Sequence, residues 1–192
     1  PMEAAKAIDK AQNYAQPLCL YRSQDAIHVP VDKERRFDKK YIDKGLSPKE
    51  AGYASLIEGM DKSLGDLMSY LDSNQLTDNT VIIFMSDNGG LSSESEWRDT
   101  PLHRHNYPLN SGKGSAYEGG IREPMIVSWP GIVKNGSKCD KPLIIEDFFP
   151  GILEIAGVEQ YETVQPVDGR SFVPLLTASG NPSDDRAFIW NF

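Results

Sequence analysis

A chain of 192 residues with 39% hydrophobic and 25% charged side chains has the composition of a globular domain with a real core, or of part of a larger one. Its net charge of −8 excludes non-specific nucleic-acid binding, which needs a basic face, but leaves anionic substrates open, because a local cation outweighs a negative average inside a cleft. No run has the length of a membrane span and no signal peptide opens the chain; two cysteines, Cys19 and Cys139, are too few to define a disulfide framework.

Ala4, Ala5, Ala7, Ile8 and Ala11 predict a helix over Met2 to Gln12 that begins inside a larger fold. Pro17 to Arg22 reads as a buried strand with Cys19 as a core thiol, and Ser23 to Pro30 follows, with His28 in the position of an ordinary loop histidine. Asp32 to Lys44 is charged and reads as a surface excursion. The clearest helix runs from about Pro48 to Leu71. Ser47-Pro48-Lys49-Glu50 is a capping-box signature with proline at the first helical position, where a missing N–H costs nothing. Tyr53, Ile57, Met60, Leu64, Leu67 and Leu71 recur at spacings of four and three, which predicts one apolar stripe facing a sheet and leaves Asp61 and Asp66 in solvent.

Asn74 to Asn79 is a turn into Val81 to Met85, a short run apolar on successive residues and β-branched at its start. That is the pattern of a strand buried on both faces, as in a parallel sheet covered by helices, and a long helix feeding it makes half of a βαβ unit. The run stops in Ser86-Asp87-Asn88-Gly89-Gly90, a turn that also supplies hard oxygen ligands. In open α/β sheets ligands sit outside the carboxyl ends of the strands, which is where Asp87 and Asn88 fall. Leu91 to Asn110 is irregular, a length that marks a functional or mobile loop, and most of its charged residues read as solvated. A zinc site at His103-x-His105 would need ligands that the sequence does not supply nearby. Lys113 stands between Gly112 and Gly114, so the backbone can approach a ligand and the ammonium stays uncovered. Glu118 and Arg122 are spaced to pair with each other. Met125 to Trp129 reads as another buried strand, Ile144 to Gly157 as a helix with Phe148, Ile152, Leu153 and Ile155 on its apolar side, and Ala187 to Phe192 as the start of a strand.

Ser86-Asp87-Asn88-Gly89 and Gly112-Lys113-Gly114, running into Tyr117-Glu118-Gly119-Gly120-Ile121-Arg122-Glu123-Pro124, resemble in wording, order and spacing the second half of the formylglycine-dependent sulfatases. The likeness extends over nearly the whole chain and includes Asp147-Phe148-Phe149-Pro150 and Asp168-Gly169-Arg170-Ser171-Phe172-Val173-Pro174-Leu175-Leu176, both of which look like scaffold. The resemblance implies an α/β fold, part of an alkaline phosphatase-like α/β/α sandwich with a mostly parallel central sheet. Residues 1–192 would be a fragment of one sulfatase-like catalytic domain, with about 187–192 opening a smaller C-terminal sheet subdomain. It implies that Asp87 and Asn88 complete a divalent-cation site, for calcium, that Lys113 contacts the sulfate, and that His28, in a His-x-Pro, lies beside it. His103, Arg104 and His105 would then line the pocket and meet sugar hydroxyls or a second anionic group.

The family's nucleophile is formylglycine, made in a Cys-x-Pro/Ala-x-Arg motif. Neither Cys19, before Leu20-Tyr21-Arg22, nor Cys139, before Asp140-Lys141-Pro142, fits it, and the family's paired aspartates are also missing. Both are expected upstream, in the remainder of the parent domain. The implied function is the C-terminal part of a sulfuric ester hydrolase acting on a sulfated sugar or an aryl sulfate, in a secreted, periplasmic or lysosomal setting. Two alternatives stay open. One is a phosphate or phosphonate ester hydrolase of the same superfamily, which commonly uses two transition metals and more His and Asp ligands than three histidines readily provide. The other is a catalytically inactive carbohydrate-binding or scaffold relative.

Overall fold

The computed structural model of the protein describes residues 2–91, 98–99, 105–180 and 186–189. The chain forms two compact units, one of Pro1–Asn79 with Met85–Met125 and the other of Thr80–Phe84 with Ile126–Phe192.

The first unit is built on helices α1 (Met2–Asn13), α2 (Asp38–Ile42) and α3 (Pro48–Ser73), with one short turn of helix, α4 (Glu118–Ile121), near its end. Helix α3 begins where the sequence predicts. Ser47 is extended, Pro48 takes the first helical position, and the Ser47 hydroxyl accepts the Glu50 N–H at 3.3 Å. Only half of the capping box forms, because the Glu50 carboxylate turns away to Arg98. It accepts from Arg98 Nε at 2.9 Å and Nη2 at 2.8 Å, and from the Asp99 N–H at 2.9 Å. A charge-assisted fork of this kind outcompetes a reach back to one backbone N–H. The Arg98 guanidinium also lies 3.5 Å over the ring of Tyr53.

The face that α3 buries shares only Leu71 with the predicted stripe. Ala51, Gly52, Ser55 and Leu71 are buried, whereas Ile57 is 41% exposed. The cause is a close backbone approach. A Cβ on Gly52 would stand 3.4 Å from the Asp32 carbonyl oxygen, and Ser55 Oγ accepts the Glu34 N–H at 2.9 Å while donating to Gly52 O at 2.6 Å. Small side chains admit the incoming segment; the larger stripe residues could not. Helix α1 packs on α3 through buried Ala4 and Ile8 and a hydrogen bond between Tyr70 and Asp9. Asp66 is exposed and pairs with Lys62 at 2.7 Å, one turn away, and Asp61 is exposed too. The expected strand over Pro17 to Arg22 is irregular instead, with Leu18, Cys19, Leu20 and Tyr21 exposed. A strand needs a neighbour to complete its ladder, and none of the described residues pairs with this run.

The two strands of the described chain, β1 (Ile82–Met85) and β2 (Met125–Ser128), pair in a two-stranded sheet. Neither is buried on both faces as the sequence suggests: β1 is half-buried, and β2 alternates, with Ile126 65% exposed. An uninterrupted apolar run calls for a covering layer on each side. The described residues supply none over Ile126.

In the second unit a tight turn at Ile145–Asp147 leads into α5 (Phe148–Ile155), so regular helix begins four residues later than predicted. It closes at Gly157, whose φ of +74° is the left-handed conformation glycine adopts freely. Phe172, fully buried at the start of α6 (Val173–Leu176), meets the Phe148 ring at 5.3 Å and lies on Gly151, where a Cβ would come within 2.4 Å of Phe172 Cε1. Asp147, 1% exposed, accepts from the Ile144 N–H at 3.0 Å, the Arg170 N–H at 2.8 Å and Arg186 Nη1 at 2.6 Å. The two phrases around Asp147 and Asp168 are thus each other's packing partners, which agrees with their reading as scaffold. Residues Ala187 to Ile189 are not a strand, and 190–192 lie outside the described residues. No helix among the described residues is long and apolar enough to cross a membrane.

Candidate active site

The chain leaves β1 through Ser86 and turns at once. Ser86 Oγ donates to Asn88 O at 2.9 Å, and Asn88 Nδ2 donates to Asp87 Oδ1 at 2.9 Å, leaving the Asp87 side chain exposed at the rim of the turn. Gly89 then presses against α4. Its N–H donates to Gly120 O at 3.1 Å, and a Cβ there would fall 1.7 Å from Gly119 O. Gly119 in turn has the carbonyl oxygens of Ser111 and Asn110 where its Cβ would be, at 2.2 and 2.4 Å. Backbone lies directly on backbone at these positions, which no side chain permits.

Lys113 belongs to the same assembly. Its N–H donates to Gly90 O at 3.1 Å, the Ser115 N–H closes the turn onto Gly112 O at 3.1 Å, and Gly114 takes a φ of +84°. The turn carrying Lys113 is therefore bonded to the turn carrying Asp87 and Asn88, with the lysine side chain exposed. His105 stands beside them, its Cβ 3.5 Å from the place a Gly90 Cβ would occupy. Burial holds the His105 imidazole below its usual basicity; the Arg98 charge adds to this and Glu50 partly offsets it. His28 is apart from this cluster. It is exposed, with Nδ1 2.7 Å from Val29 O, and no described contact joins it to Asp87 or Lys113. His103 and Arg104 lie outside the described residues. The Glu118–Arg122 pair forms as spaced, at 3.4 Å in solvent.

Two neighbours have no signal in the sequence. Asn106 links the two turns by side-chain hydrogen bonds, but an asparagine before Tyr-Pro looks like any turn residue. Glu123 is half-buried, and burial, with the Asp87 charge second, raises its carboxyl above the usual range. Its Oε1 is buried with no hydrogen-bond partner.

These features bear on a cation. Asp87 and Asn88 offer hard oxygens, and the Glu123 carboxylate, close enough to feel Asp87, has an oxygen that nothing satisfies; a divalent ion would relieve both. Calcium takes about six to eight oxygens, more than these side chains supply. No group of three or more His, Cys, Asp or Glu residues able to hold a metal occurs among the described residues. The donor set fits one side of a divalent-cation site.

The family model Sulfatase matches residues 2–158. A Sulfatase of Formosa agariphila is 32% identical over 190 residues, covering 92% of this chain and 33% of that protein. The Steryl-sulfatase of Homo sapiens is 31% identical over 191 residues, covering 100% of this chain and 31% of that protein. The crystal structure of Ps i-CgsB in complex with k-i-k-neocarrahexaose superposes with a TM-score of 0.83 at 34% identity, over 96% of this chain and 39% of that one. The chain spans about a third of the length of the curated relatives it matches. Its structural neighbours include sulfatases of the alkaline phosphatase-like fold and, at a TM-score of 0.51 and 29% identity, a phosphonate monoester hydrolase from Silicibacter pomeroyi. With most of its length under the family model, the chain belongs to the sulfatase family.

Proposed function

We propose that this chain is the C-terminal part of a sulfuric ester hydrolase that acts on a sulfated carbohydrate or an aryl sulfate. The observation that carries the reading is the hydrogen bond from the Lys113 N–H to Gly90 O, which ties an exposed ammonium to the turn of Asp87 and Asn88. Family membership and a carbohydrate complex among the structural neighbours support it. In this reading residues 1–192 are a piece of one catalytic domain whose full sheet is mostly parallel, in a secreted, periplasmic or lysosomal protein.

Cleaving a sulfate ester requires that the charge on the sulfuryl oxygens be held and that the departing oxygen be protonated or neutralised. Lys113 does the first: its ammonium projects from a turn anchored at its base, so it meets a sulfate oxygen without reorganising. The family resemblance, rather than a contact in this structure, carries the assignment of His28, exposed after the Pro17–Arg22 segment, as proton donor to the leaving oxygen. Asp87 and Asn88 would hold a divalent cation, calcium, which when bound supplies Lewis-acid neutralisation of the sulfate oxygens. The formylglycine nucleophile belongs to the part of the parent outside these residues. Of the pocket residues, His103 and Arg104 contact the sugar or a second anion. His105, kept neutral near pH 7 by its lowered basicity, is suited to a sugar hydroxyl.

The test uses the full-length parent, a chromogenic aryl sulfate and a panel of sulfated oligosaccharides, with released sulfate measured directly. Lys113→Ala lowers turnover by a factor on the order of 10²–10³, the usual loss for one preorganised donor, while the melting temperature barely moves because the side chain is exposed. Normal turnover in that variant refutes the assignment. Release of phosphate and not sulfate from matched esters refutes the substrate class.

A further inference from the structure

We propose that Asn106 is a positioning residue, whose carboxamide locks the Asp87–Gly90 turn to the Lys113 turn and so sets the lysine relative to the cation-binding side chains; this rests on the reading of Lys113 above. Asn106 Nδ2 donates to Gly90 O at 2.9 Å and to Ser111 O at 3.0 Å, and Asn106 Oδ1 accepts the Gly90 N–H at 2.9 Å. Both hydrogens of the amide and its oxygen are therefore engaged. The amide orientation has no alternative, since a reversed group would set N–H against N–H and oxygen against two carbonyls.

Gly90 is held on both of its backbone groups, as a strand residue is by its neighbour. Its carbonyl also takes the Lys113 N–H at 3.1 Å, so both lone pairs of one oxygen serve as the junction of the two turns. Glycine suits the junction: a Cβ at residue 90 would meet Asn106 Oδ1 at 3.0 Å, so the carboxamide would have to give by a few tenths of an ångström. A plainer role for Asn106 also exists. Its backbone carbonyl accepts the Leu109 N–H at 2.8 Å, closing a turn. Aspartate fills that role equally well. What aspartate cannot do is donate two hydrogen bonds to Gly90 O and Ser111 O. The substitution Asn106→Asp thus separates the roles, keeping the turn and losing the lock.

The experiment is a double-mutant cycle in the full-length enzyme with an aryl sulfate, each variant assayed below its own melting temperature. Asn106→Asp and Asn106→Ala lower kcat by about 10- to 100-fold with a smaller change in KM, the scale of a misplacement of about 1 Å at a reacting group. In a Lys113→Ala background the same substitutions cost less than about threefold, because the group they position is gone. Where Asn106→Ala does not fold, Asn106→Gln, which retains the amide but displaces it by one methylene, takes its place with the same expectation. Losses that multiply independently across the cycle overturn the inference and make Asn106 a structural residue. Full activity in Asn106→Asp, beside a Lys113→Ala variant that has lost turnover, overturns the inference alone. Normal turnover in Lys113→Ala overturns the inference together with the reading beneath it.

Discussion

Lys113 and His105 stand on the same pair of turns, yet solvent treats them differently. Lys113 is exposed and keeps its charge free for a ligand, whereas His105 is half-buried beside Gly90 with the Arg98 charge nearby. Burial and Arg98 both disfavour the imidazolium, and Glu50 only partly restores it. The folded state therefore binds the His105 proton more weakly than the unfolded chain, whose histidine titrates near about 6.5. A depressed folded value gives stability that is complete above that pH and is lost as pH falls through the folded value. The expected outcome is a melting temperature that drops on going from about pH 7 to pH 5, and drops less in His105→Gln. Equal drops in the two proteins would remove His105 as the source.

Among the elements, α5 depends on one buried carboxylate. Asp147 meets the N–H groups of Ile144 and Arg170 and the guanidinium of Arg186, a residue 39 positions further along. Asp147→Ala strands a cation and two donors, and breaking a buried pair from one side costs about 3–5 kcal/mol. Asp147→Asn costs less, because an amide oxygen still accepts. Denaturant midpoints would show this order, with Glu118→Ala, from a pair exposed on both sides, within about 1 kcal/mol of the parent as control. Such elements also show what a sequence can reveal. The Ser47-Pro48 start of α3 and the Gly157 stop after α5 were legible because their causes lie within a few residues. The buried face of α3 was not. Counting apolar residues finds the stripe of Ile57 and Met60, but the partner that arrives is the backbone of Asp32 to Glu34, which selects Gly52 and Ser55 for their small size.

For the chain as a whole, the legible part of the site is the part written in contiguous phrases. Asp87, Asn88 and Lys113 were candidates because their phrases resemble the family's, the structure bonds their two turns together, and the interlocking of Gly89 with Gly119 explains why those phrases hold glycine. Asn106 and Glu123 were missed because their importance comes from contacts across the fold. The buried strands expected at Pro17–Arg22 and Met125–Trp129 leave Leu18, Tyr21 and Ile126 in solvent here, since burial depends on neighbours that a strand's own residues do not encode. The same dependence governs activity. This chain alone is expected to show no turnover of a chromogenic aryl sulfate, because its sequence lacks the nucleophile motif and its described residues include no group of side chains able to hold a metal ion. Turnover above a Lys113→Ala control would contradict that expectation.

The clasp between Gly90 and Asn106 also bears on how such a protein diversifies. Gly90 and Asn106 are bonded side chain to backbone, so the chain segment between them has its two ends joined. A loop with joined ends can grow cheaply: doubling its length costs ~0.6 kcal/mol in closure entropy. A length change between the clasped ends is therefore expected to leave the Gly90–Lys113 hydrogen bond in place, provided that Arg98 and Asp99 keep their bonds to Glu50.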